Sequence, residues 1–193
     1  MKLLKLTIDQ THEIYDTFLQ EDFPADEIKP WKNIERMWLL GGYSAFAAYE
    51  GETVAAYALC SYIREPRVML LDYLAVNKDM RGRGVGSWIL KELAQRIKNM
   101  GIENLLIETE ALDRAKNEKQ LQERLRRNHF YEKNGAILTP VVGEVYGVYY
   151  SVWQVPVDQA WSNEDCLEAY KGIYRFMMVA KAYIEYFWAQ ISD

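Results

Sequence analysis

The segment Val76-Asn77-Lys78-Asp79-Met80-Arg81-Gly82-Arg83-Gly84-Val85-Gly86-Ser87 constrains this chain more than any other stretch. An apolar run from Val68 to Val76 leads into it. Ile89, Leu90, Leu93, Ile97 and Met100 follow at helical spacing, and Gly101 stands where a helix would end. A strand must therefore turn tightly into a helix. Glycines carry no β-carbon, so successive backbone N–H groups can converge, and the helix adds its unpaired first-turn donors and the positive end of its dipole. That combination is an anion cradle.

The rest of the chain reads as alternating elements around this turn. Residues 2 to 8 suit a strand, 9 to 21 a helix opened by an Asp9 cap, and 26 to 40 a second amphipathic helix stopped by Gly41-Gly42. Tyr43 to Tyr49 and Thr53 to Tyr62 flank Glu50-Gly51-Glu52 as an antiparallel hairpin. Beyond the turn and its helix, Asn104 to Glu110 returns as a strand, and a strand-helix-strand crossover makes its two strands parallel neighbours. Residues 117 to 133 form a polar helix ending at Asn134-Gly135, and Ala136 to Pro156 is β again, interrupted at Gly147. The fold class is α/β (α+β): a mixed, mostly antiparallel sheet of six or seven strands with flanking helices. Residues 156 to 193 make a tail of another kind. There Leu167, Tyr170, Tyr174, Met177, Ile184, Trp188 and Ile191 mark one face of a long helix, expected to cover the sheet or the partner of a homodimer in preference to lining a site.

Composition narrows the function classes. A formal charge of -5 and a sequence pI near 5.2 argue against a phosphate-backbone surface, so nucleic acid is not an expected partner. Cys60 and Cys166 cannot make a disulfide framework and lack zinc spacing, which suits a reducing cytoplasm and no metal. No apolar run approaches the ~20 residues of a membrane helix. Met1 to Leu6 alternates charged and apolar residues like a strand and unlike a signal peptide.

Other glycine loops fit the turn less well. A phosphate-binding P-loop needs GxxxxGK[ST], which is absent, and the third glycine of the dinucleotide fingerprint is Ser87 here. Arg81, Gly84 and Gly86 instead occupy the fixed positions of [RQ]-x-x-G-x-[GA], and the segment resembles the coenzyme loop of GNAT-superfamily N-acetyltransferases. Downstream, Arg126-Arg127-Asn128-His129-Phe130-Tyr131-Glu132-Lys133-Asn134-Gly135-Ala136 resembles the same family's FYEKNGF-like helix end. The likeness spans residues 1 to 155 as an acetyltransferase domain and leaves 156 to 193 as a C-terminal helical extension. It implies acetyl-CoA as co-substrate, with its pyrophosphate on Arg81, Arg83, Gly84, Val85, Gly86 and Ser87. Its pantetheine would lie against the backbone of Leu74, Ala75 and Val76, where the two parallel central strands splay apart. It also implies direct transfer to an amine, a small molecule or a peptide, in a ternary complex. The family's asparagine and alanine seven and four residues before the tyrosine are Arg124 and Arg127 here, so their coenzyme contacts do not carry over.

The chemistry needs a base and an acid. An amine of pKa about 10.4 is neutral about once in 2,500 at pH 7, which costs about 4.6 kcal/mol, whereas the departing thiolate resembles cysteine at about 8.5. The resemblance gives protonation of that thiolate to Tyr131. Three carboxylates compete as base: Asp72 before the turn, and Glu108 and Glu110 on one face of the following strand. Their other reading is exposure to solvent at a strand end or pairing with Arg126 or Arg127. His12 and His129 receive no role. Asp22, Asp26, Glu27, Tyr146 and Tyr149 hint at a cationic acceptor. The rival functions are an inactive acyl-CoA sensor of the same fold and an interaction protein acting through its aromatic tail.

Overall fold

The computed structural model describes residues 1–25 and 27–192. Its strands are β1 (Lys2–Lys5), β2 (Tyr43–Glu50), β3 (Thr53–Arg64), β4 (Arg67–Val76), β5 (Asn104–Glu110), β6 (Ile137–Val145), β7 (Val148–Pro156) and β8 (Phe187–Ile191). Among the described residues they form one sheet in the order β1-β2-β3-β4-β5-β7-β6-β8. The helices are α1 (Ile8–Ile14), α2 (Gln20–Asp22), α3 (Trp31–Leu39), α4 (Val85–Asn99), α5 (Glu118–Lys133), α6 (Asn163–Met177) and α7 (Ala180–Tyr186). β4 and β5 are parallel, with Val68 to Leu71 beside Asn104 to Ile107. The pairs β1–β2, β2–β3, β5–β7, β6–β7 and β6–β8 are antiparallel. This is the mixed, mostly antiparallel sheet that the residue patterns predict, with one strand more than expected.

The chain divides into two compact units, Met1–Tyr62 with Asp72–Leu93, and Ile63–Leu71 with Ala94–Asp193. In the first, Ala45, Ala47, Ala48, Ala55, Ala56 and Ala58 are fully buried beside Phe46 and Leu59 on β2 and β3. α1 starts two residues earlier than an Asp9 cap allows. Thr7 is the cap: its hydroxyl accepts from the Gln10 amide at 3.3 Å while the Gln10 side chain accepts from the Thr7 amide at 2.9 Å. This reciprocal box satisfies two orphan donors, and Asp9 falls inside the first turn. A π-helical stretch, Tyr15–Leu19, joins α1 to α2. α3 begins only at Trp31, because Pro30 supplies no amide to a preceding turn. The expected start at position 26 lies outside the described residues.

In the second unit Leu105, Leu106 and Ile107 are covered on both faces, as the run of apolar residues in a parallel strand requires. Asn104 is paired inside, donating to Gln154 at 2.9 Å. The tail departs from the expected single helix. α6 ends at Met177 and Met178 after it is extended, α7 lasts seven residues, and Phe187–Ile191 is a strand lying antiparallel to β6. The sequence Phe187-Trp188-Ala189-Gln190-Ile191 alternates inward and outward with period two, and β6 offers it unpaired edge groups. Ile184 and Trp188 consequently leave the buried stripe, at 82% and 39% exposure. The buried face of α6 is Cys166, Ala169, Tyr170, Ile173, Tyr174 and Met177. Among the described residues no helix is long and apolar enough to cross a membrane.

Candidate active site

β4 ends at Val76, and Asn77 organises the turn that follows. Its amide donates to the Ala55 carbonyl at 2.9 Å, its side chain donates to Val54 at 3.2 Å, and its side-chain oxygen caps the Asp79 amide at 3.1 Å. Gly82 and Gly84 adopt φ of +75° and +81°, and helix α4 begins immediately after. A β-carbon at Gly84 would meet nothing within 4 Å, so glycine is required there by conformation, and the space beside it is open. The first intrahelical bond runs from the Trp88 amide to the Gly84 carbonyl at 3.0 Å. The amides of Val85, Gly86 and Ser87 precede it and have no partner within the helix. Arg81 is tied back by its Nε to the Val76 carbonyl at 3.1 Å, and its guanidinium lies 3.5 Å from Asp22. Arg83 is exposed. An exposed arginine, a second arginine fixed at the turn and a fan of helix-start amides put positive charge and backbone donors on one surface, the general chemistry of an anion site.

Asp72 and its surroundings belong to the same unit. Its side chain is 2% exposed. Lys29 Nζ donates to Oδ1 at 2.5 Å and Tyr43 donates to Oδ2 at 2.7 Å. Burial first, and the Asp72 charge second, push the Tyr43 hydroxyl well above its ordinary pKa, so Tyr43 remains a donor. The next residue, Tyr73, accepts from the Lys29 amide at 2.8 Å and donates to the Glu27 carbonyl at 3.0 Å. Tyr15 donates to the Lys29 carbonyl at 3.1 Å. Asp72 and Tyr73 thus anchor the segment between α2 and α3. Asp22, at 10% side-chain exposure, accepts from Tyr57 at 3.1 Å beside its contact with Arg81. Burial and then Asp22 raise the Tyr57 pKa, so that hydroxyl also keeps its proton. Asp26 lies outside the described residues.

The second unit holds the other predicted residues. Tyr131 closes the buried face of α5 at 8% exposure, in edge contact with Phe130 at 5.2 Å. The amides of Asn134 and Ala136 both return to its carbonyl at 3.0 Å, so the Asn134-Gly135 ending fixes its position. Burial pushes its pKa up to about 12 although Arg127 pulls the other way. Among the described residues its hydroxyl has no hydrogen-bond partner. Glu110 is clamped by Arg124 at 2.7 Å and Arg127 at 3.1 Å. Arg124 also donates to the Ala111 carbonyl at 2.5 Å. The arginines that replace the family's usual residues therefore hold a carboxylate. Arg126 is exposed.

Glu108 is bound differently. Tyr170 donates to Oε1, and Tyr174 donates to Oε1 at 2.7 Å and Oε2 at 2.9 Å. Both tyrosines come from α6. Their sequence signal was a helical stripe, which identifies a buried face but not what its hydroxyls meet. Lys29 and Tyr43 carried no signal at all, since their partner lies 43 and 29 positions away. Of the residues that hinted at an acceptor, Tyr146 is 62% exposed and stacks on Tyr186, while Tyr149 lies under the Arg114 guanidinium at 4.4 Å.

Comparison with known proteins bears on the family and the fold. The model of the Acetyltransferase (GNAT) family matches residues 8–136. No curated protein matches the chain. Among solved structures, a GNAT-family protein from Bacteroides thetaiotaomicron aligns at TM-score 0.68 and 15% identity, covering 94% of this chain and 98% of that one. The ribosomal-protein-S18-alanine N-acetyltransferase from Escherichia coli aligns at TM-score 0.57 and 17% identity, over 84% and 97% of the two chains. A Bacillus subtilis acetyltransferase in complex with CoA aligns at 0.55 and 15%, over 80% and 96%. These likenesses establish the fold, and the family model, which takes in both the glycine turn and Tyr131, spans well over half of the sequence; the chain belongs to the GNAT family of acetyltransferases.

Proposed function

We propose that the protein is an N-acetyltransferase that passes the acetyl group of acetyl-CoA to an amine by direct attack in a ternary complex. The observation that carries this reading is the glycine turn, where Gly84 at φ +81° delivers the unpaired amides of α4 to open space beside Arg81 and Arg83. On this reading the coenzyme's pyrophosphate is held by Arg81, Arg83, Gly84, Val85, Gly86 and Ser87, and the backbone of Leu74, Ala75 and Val76 serves pantetheine.

The reaction forms an amide N–C bond and breaks the thioester C–S bond, releasing one proton from the amine and placing one on the sulfur. Tyr131 is assigned the second transfer. A hydroxyl whose pKa stands near 12 is fully protonated at neutral pH and can donate to the departing sulfur, while complete transfer to a thiolate of pKa about 8.5 runs uphill by about 4.8 kcal/mol. Glu108 is assigned the first. Asp72 has both oxygens engaged by Lys29 and Tyr43, and Glu110 is held by two arginines; Glu108 accepts from the hydroxyls of Tyr170 and Tyr174, which orient its carboxylate. The acceptor class is an amine, from a small molecule or a peptide.

The test is to incubate the protein with acetyl-CoA and a library of amines and follow free thiol. Release above spontaneous hydrolysis, dependent on one amine class, is expected. Tight acetyl-CoA binding with no turnover on any amine would identify a sensor of the same fold instead.

A further inference from the structure

We infer that the C-terminal tail is part of the catalytic apparatus: Tyr170 and Tyr174 of α6 are positioning residues that hold Glu108 in one orientation as the carboxylate. This rests on the assignment of Glu108 to acetyl transfer. The two tyrosines stand one turn apart on the buried face of α6, at 0% and 3% exposure, with their rings edge-on at 5.1 Å. Phe187 of β8 backs them, stacked on Tyr174 at 4.5 Å and 5.6 Å from Tyr170. β6 makes room for this packing. A β-carbon on Gly143 would stand 2.8 Å from Tyr170 Cε1, 3.1 Å from its hydroxyl and 3.0 Å from the Trp188 carbonyl, so no other residue fits without displacing the ring or the β8 backbone. Three separate tail contributions, α6, Phe187 and the Trp188 carbonyl, therefore converge where the two hydroxyls reach Glu108.

Packing alone does not account for the hydroxyls. Phenylalanine at both positions would bury the same rings and leave nothing to satisfy, whereas two phenols aimed at one carboxylate order three side chains and desolvate a charge. The return is that a carboxylate accepting hydroxyl bonds is favoured in its ionised form and has one rotamer. Burial, and next the Glu108 charge, push both tyrosines well above their ordinary pKa, so they act as donors throughout the working range. Further titratable or charged groups near this cluster include Tyr150 of β7 and, on Glu108's own strand, Glu110, which Arg124 and Arg127 of α5 hold.

The experiment compares the full chain with a Tyr170→Phe/Tyr174→Phe variant, using glutamate labelled with carbon-13 at the side-chain carboxyl. Glu108→Gln identifies the Glu108 resonance by its loss. In the double variant the Glu108 carboxyl is expected to titrate about one pH unit or more higher than in the unmodified protein, because the donors that favour the anion are gone. With an accepted amine, kcat is expected to fall about 10-fold or more while KM for acetyl-CoA holds. Adding Glu108→Gln to the double variant should then cost far less than it does alone, as expected of residues acting through one group. An unchanged Glu108 titration, or fully additive losses in kcat, overturns the proposal. Should no amine turn over, the acetyl-transfer reading fails, yet the titration still decides whether α6 holds Glu108. If the double variant does not fold, Tyr174→Phe alone supplies the same titration shift in smaller measure, and Gly143→Ala should reproduce it by displacing Tyr170.

Discussion

Gly84 and Tyr131 are the residues on which the proposed coenzyme and acid roles rest, and each makes a separate prediction. At φ +81° an L-residue at position 84 is strained by about 1–2 kcal/mol, and an aspartate adds a negative charge beside the helix-start amides. Gly84→Asp is expected to weaken acetyl-CoA binding at least about 100-fold in calorimetry, a change of about 2.8 kcal/mol. Affinity within threefold of the unmodified protein would place the diphosphate elsewhere. Tyr131→Phe keeps the ring and removes the proton. Its kcat should fall about 100-fold with KM for acetyl-CoA unchanged, the effect of losing one general acid. A loss expressed in KM instead would make Tyr131 a packing residue. Both positions were legible in the sequence because each lies inside a short motif whose chemistry is local.

The elements owe their positions to pairs that no local pattern reveals. α5 is fastened to the end of β5 by Glu110, Arg124 and Arg127, and Arg124 has only 10% of its side chain exposed. Removing one member of a buried pair strands the other charge. Glu110→Ala is therefore expected to cost about 3 kcal/mol in urea unfolding, with acetyl-CoA affinity little changed. A loss below about 0.5 kcal/mol would mean that solvent already carries the arginines. β8 teaches a related lesson. Period-two alternation over Phe187–Ile191 was present in the sequence, but residues 184, 188 and 191 also fall near one helical face, and five residues cannot decide between the two periods. The free edge of β6 decided it.

Across the molecule the buried tyrosines set the alkaline limit of stability. Tyr43, Tyr57, Tyr73, Tyr131, Tyr170 and Tyr174 all have pKa values raised from 10.0 with burial as the leading cause, Tyr73 and Tyr131 to about 12. The unfolded chain releases these protons near pH 10 and the folded chain keeps them, so the contribution is complete below pH 10 and is lost as pH rises through 12. Each such group removes about 1.4 kcal/mol per pH unit over that range. Thermal unfolding should be level from pH 8 to about 10 and then fall steeply, and Tyr131→Phe should soften the fall. A flat profile to pH 12 would show these hydroxyls to be solvated. The sequence alone determined the α/β class, the parallel crossover around the glycine turn and the family, because strand and helix periods and a glycine-rich turn are properties of a dozen neighbouring residues. Only the tertiary structure decided that Asp72 binds Lys29, that Glu110 binds Arg124 and Arg127, and that tail tyrosines reach Glu108. Those partners lie 14 to 66 positions apart, and a hydrogen bond depends on distance in space, which no spacing along the chain encodes.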